Sequence, residues 1–117
     1  MTGVHRDTIM RLSEVTYLEE LQQVIHQLHG VNSTHIKSVP VTERFKGEVI
    51  WDGIVEVFEL HGHSKATHAY AWSHETDDPK QPKRSVAVLN IPPAVSPEIA
   101  VRVAIMQELR DAEAAEA

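Results

Sequence analysis

The chain has 117 residues, with 11 Lys and Arg against 17 Asp and Glu, a net charge of −6 and no cysteine. A chain of this length makes one domain and buries roughly 65% of the surface its unfolded form exposes, so no metal or disulfide staple is required. The missing thiols exclude disulfides, a thiolate nucleophile and Cys-ligated zinc, and the acidic balance argues against a nucleic-acid partner, because phosphate-binding surfaces need clustered Lys and Arg.

The first residues, M-T-G-V-H-R-D-T-I-M, have no apolar core of signal-peptide length, and no window approaches the roughly 20 apolar residues of a membrane span. The expectation is a soluble cytoplasmic protein with no membrane partner. Residues 1–12 lack periodicity and are expected to form a loosely ordered N-terminal arm, with residues 13–117 as a single α+β domain. Thr16 followed by Glu19 fits a capping box, with Ser13 as a competing N-cap, and Gly30 suits the C′ position of the same helix. Between them Leu18, Leu21, Ile25 and Leu28 fall on one helical face.

Residues 35–45 read as a strand interrupted by Pro40, and this strand should sit at a sheet edge or pair with its neighbour only beyond the proline. Lys46-Gly47 supplies a turn. Residues 48–60 would then reach about 43 Å as one strand, so a bend is needed at Gly53, either a turn at Asp52-Gly53 or a bulge. The bulge is preferred, because a turn would leave only residues 48–51 before it. After a loop over 61–65, residues 66–74 alternate, with Thr67, Ala69, Ala71 and Ser73 on one side and His68, Tyr70, Trp72 and His74 on the other. The small side suits close helix packing; the bulky amphipathic side suits a ligand or a second chain. Residues 75–84 are polar with two prolines and form an exposed loop carrying Lys80, Lys83 and Arg84. A last strand over 84–91 is apolar on both faces, hence expected to be central and covered twice.

Ser96 as N-cap and Pro97 at N1 open a helix expected to reach Ala112. Its apolar residues wrap most of its circumference, which one sheet face cannot cover. A homodimer with Val101, Ile105 and Leu109 at the interface is therefore expected. The order αββββα predicts an α+β two-layer sandwich: a four-stranded, mainly antiparallel sheet with both helices on one face.

Residues 45–74 hold both tryptophans, both phenylalanines and four of the eight histidines. Trp51, His68, Tyr70, Trp72 and His74 make the expected ligand or partner face. His61, His63, His68 and His74 cluster within fourteen residues. However, His68 and His74 stand about 20 Å apart on an extended strand, and no metal signature is present, so no metal site and no cofactor is expected. Asp52 and Glu56 share a strand face with Ile54 and Phe58, where a carboxylate among apolar groups can serve proton transfer. Together these features point to a non-enzymatic interaction or ligand-binding module, dimeric, with a protein or small-molecule partner. The alternative is a small acid/base or metal-dependent hydrolase using Glu56 or Asp52 with His63 or His68.

Overall fold

A computed structural model describes residues 2–116, with side chains over residues 16–114. The elements are α1 (Thr2–His29), β1 (Asn32–Phe45), β2 (Glu48–His61), β3 (His68–Glu75), β4 (Lys83–Leu89) and α2 (Pro97–Glu116). The strands form one antiparallel sheet in the order β1-β2-β3-β4, giving the αββββα, α+β architecture read from the hydrophobic pattern. The backbone of residues 2–12, expected to form an arm, belongs to α1, and the side chains of residues 1–15 lie outside the described residues. Backbone helix already runs through Thr16, so the capping box is interior rather than a helix start.

Alternation along the strands produces two apolar faces, and each gathers its own core. On one, Val55 and Val57 of β2, Tyr70 and Trp72 of β3 and Val41 of β1 pack with Ala100 and Val101 of α2. On the other, Phe58, Leu60, Ala69 and Ala71 pack with Leu21 and Ile25 of α1. Each side is a helix-on-sheet layer, and the helices lie on opposite faces instead of sharing one. The reason is in β3 itself: the side of Ala69 and Ala71 admits α1 closely, while Tyr70 and Trp72 need a cover of their own, which α2 provides.

The same arrangement explains β4, which is an edge strand and not a central one. Its two-sided apolar pattern arises because Val86 and Val88 meet the α2 side while Ala87 and Leu89 meet the α1 side. β1 is the other edge, as Pro40 requires. α1 bonds to both outer strands: Gln22 Nε2 donates to the Ser33 carbonyl at 2.9 Å and His29 Nε2 to the Ala87 carbonyl at 3.1 Å. Its C-terminus closes as expected, with Gly30 at φ 73° and its N–H on the His26 carbonyl at 2.9 Å. α2 opens on Ser96, whose Oγ accepts from the Ile99 N–H at 3.3 Å.

Lys46 and Gly47, both at positive φ, form the tight turn between β1 and β2. No bulge occurs at Gly53, which pairs in register with Val41. The irregularities fall elsewhere, where Ile36 of β1 and Ile50 of β2 have no Cα partner across the ladder. β2 pairs with β3 only over residues 56–59, so its first half runs on with β1 as a two-stranded arm. The molecule is correspondingly long, 57 × 35 × 31 Å.

The arm is tied to α2 by one charge-assisted bond, Arg102 Nε donating to Glu43 Oε1 at 2.6 Å, with Glu43 only 8% exposed. Replacing Arg102 by Met leaves that carboxylate buried and unpaired, and should cost about 1–3 kcal/mol in urea unfolding. Adding Glu43→Gln to Arg102→Met should recover much of the loss. A double variant no better than Arg102→Met would show that the pair is not what fixes the arm.

Candidate functional site

Three of the aromatic and histidine positions expected to form an open face converge instead on a crevice beneath α2. Trp72 is 2% exposed and Tyr70 7%, so both are core side chains covered by the helix. Trp51, from the arm, meets Trp72 edge to face, with ring centroids 5.7 Å apart and planes at 69°. Gly53 makes room for this pair, since a Cβ there would stand 3.0 Å from Cη2 of Trp51. Its absence of side chain serves a close approach, which is why the expected bulge is not found there.

Between the two indoles and α2 is a crevice of about 110 Å³, bounded by His74 and by Val101, Ala104, Ile105 and Glu108 of the helix. Its polar groups are few. His74 Nδ1 stands 3.2 Å from the Glu75 carbonyl, which can only accept, so Nδ1 carries the proton. His74 Nε2 is buried without a hydrogen bond although Glu108 Oε1 is 3.4 Å away, close enough for an ion pair but out of line for a bond.

The other candidate histidines are engaged locally. His63 Nδ1 accepts from the backbone N–H groups of Lys65 and Ala66, each at 3.0 Å, and so shapes the β2–β3 loop. His68 Nδ1 is 2.8 Å from Thr67 Oγ1, which also accepts from Asn90 Nδ2 at 3.1 Å. His61 Nε2 is 2.8 Å from Thr34 Oγ1. Among the described residues no group of three or more His, Asp or Glu is placed to hold a metal ion.

Of the two carboxylates, Asp52 is exposed and accepts from Thr42 Oγ1 at 2.8 Å. Glu56 is 7% exposed, and its partners are neither His63 nor His68 but His35, with Nε2 at 2.9 Å, and the Ser38 hydroxyl. The unpaired Ile36 makes this possible, because one extra residue turns His35 and Ser38 to the same face. Both bond the same carboxylate oxygen, whereas nucleophilic catalysis needs the serine proton directed at the imidazole. The cluster therefore satisfies a buried carboxylate and does not activate Ser38.

Sequence reasoning missed His35, because nothing in the residues around Ile36 announces a register shift. It also missed Glu108, although its spacing of seven from Val101 places it on the helical face already recognised. Of the expected dimer contacts, Val101 is fully buried inside its own protomer, Ile105 is half-buried and Leu109 is exposed. α2 packs against both β1 and β4, so the twisted sheet hides more of its circumference than a flat face would.

Two expectations follow from this packing. Burial, reinforced by the carboxylate of Glu98, raises the Tyr70 phenol above the ordinary value of 10.0. The protonated ring is thus favoured in the native state, and its stabilisation is present below pH 10.0 and lost as pH rises through the raised value. In absorbance titrations Tyr70→Phe should remove a late tyrosinate component and flatten the alkaline loss of stability; an unchanged late phase would contradict the burial. Gly53→Ala should displace the Trp51 ring, costing about 1–2 kcal/mol and reducing the coupled indole signal in circular dichroism. An unaltered signal would place Trp51 elsewhere.

Among the described residues no helix is long and apolar enough to cross a membrane. Comparison with known proteins finds no matching family model, no matching curated protein and no matching solved structure.

Proposed function

We propose that this protein is a non-enzymatic binding module that works as a homodimer, with the outer half of β2 at the seam. The observation that supports this is an unpaired strand edge: residues 48–55 of β2 have no ladder partner other than β1. Beside it Phe45, Val49, Ile50 and Ile54 are 47–61% exposed. Open backbone groups next to apolar side chains favour addition of another strand.

A second copy of the chain is the occupant that fits. Two antiparallel copies of one strand are related by a two-fold axis, so such an edge is complementary to itself. The other edges are blunted. β1 carries Pro40 and its Ser33 carbonyl is taken by Gln22; β4 carries Lys83 and Arg84 and its Ala87 carbonyl is taken by His29. Burying what remains of each of the four apolar side chains stabilises by about 1 kcal/mol. Doubled across the axis this is about 8 kcal/mol against a cost of association of at least about 4 kcal/mol, and the backbone hydrogen bonds between the two added strands come on top of it.

The acid/base alternative has less support. His63 and His68 are committed to their loops, and Glu56 is occupied by His35 and Ser38. The test is light scattering after gel filtration at tens of micromolar. The wild-type chain should run as a dimer, Ile50→Lys as a folded monomer, and Leu109→Lys, altered on the exposed part of α2, as a dimer. A wild-type monomer at that concentration would defeat the proposal, and so would dissociation by Leu109→Lys with Ile50→Lys unaffected.

A further inference from the structure

We infer that the crevice between Trp51, Trp72 and α2 is a binding site for a small alkylammonium group bearing at least one N–H. The walls are two indoles inclined at 69° and the aliphatic side chains of Val101, Ala104 and Ile105. At about 110 Å³ the space suits a methylated amine headgroup and not a drug-sized molecule, which needs several hundred Å³.

The polar groups select the charge. With a proton on Nδ1, held towards the Glu75 carbonyl, the neutral form of His74 presents a lone pair at Nε2. That atom is buried without a hydrogen bond, 3.4 Å from the Glu108 carboxylate. Two acceptors so close together call for a donor shared between them. An ammonium N–H supplies it, and the indoles favour the N-methyl groups through their negative ring faces. An anion is disfavoured by Glu108, and a neutral molecule gains nothing from that charge. The chain's net charge of −6 also raises the local concentration of cations. The competing state is an imidazolium on His74 that answers Glu108 without any ligand.

Since the chain has only two tryptophans and both line the crevice, intrinsic fluorescence reads the site directly. The full chain is titrated with dimethylammonium chloride, tetramethylammonium chloride, tert-butanol and sodium chloride at matched ionic strength. Dimethylammonium should give a saturable change in the millimolar range, tetramethylammonium should bind several-fold more weakly for want of an N–H, and sodium chloride and tert-butanol should not saturate. Glu108→Gln, on the helix surface, should weaken dimethylammonium by about tenfold with unchanged circular dichroism.

No saturation beyond the salt control would overturn the inference. Equal saturation by tert-butanol, tetramethylammonium binding as tightly as dimethylammonium, or undiminished binding by Glu108→Gln would do the same. The self-association proposed above is a separate matter: Ile50→Lys, expected to be monomeric, should still titrate with dimethylammonium, so failure of one proposal does not imply failure of the other.

Discussion

The brevity of the ladder between β2 and β3 governs the rest of the molecule. They pair only over residues 56–59 of β2, after which β2 continues with β1 and β3 with β4. Backbone groups freed by that divergence need other partners. At Ser73 the N–H finds the Tyr17 hydroxyl at 3.0 Å, so α1 supports the point where the sheet opens. On the opposite face the gap is filled by Trp51 and Trp72, and α2 closes over them. The arm, the crevice and the unpaired edge are thus consequences of one departure from continuous pairing.

What keeps the arm in place is electrostatic as well as apolar. Each face of the β1–β2 hairpin carries one buried carboxylate, Glu43 towards α2 and Glu56, at the base of the arm, on the opposite side. Charge-assisted bonds of the kind that hold them contribute about 1.5–3 kcal/mol, against about 0–1 kcal/mol for an exposed pair such as Lys83 with Glu20. The asymmetry matters because loss of a partner strands a charge away from water. Glu43 is held by a residue from another element, Arg102, whereas His35, Ser38 and Glu56 all belong to the hairpin itself. One cluster orients the arm against the body, and the other fixes the register of the hairpin at its base.

The histidines show how little residue type says about role. Four of them lie within residues 61–74, yet three serve hydrogen bonds to nearby turns and strand ends, and only His74 faces a space. His35, isolated in the sequence, is the one that meets a buried carboxylate. Proximity along the chain brought no chemistry together here; proximity across strands did.

Local signals determined the element order. Gly30, Lys46-Gly47 and Ser96-Pro97 each mark a boundary where backbone stereochemistry or an uncapped amide leaves few choices, and the structure has a boundary at each. The two-sided character of β4 and the edge position of β1 were also legible, because apolar alternation and a missing N–H act residue by residue. Which face each helix takes, where the strands bulge and where the sheet divides were decided only by tertiary packing. Ile36 and Ile50 look like ordinary strand residues, and Glu56 looks equally ready for several histidines. Those outcomes depend on fitting Trp51 over Gly53, α1 against small side chains and α2 against large ones, interactions between residues far apart in sequence whose balance no local pattern encodes.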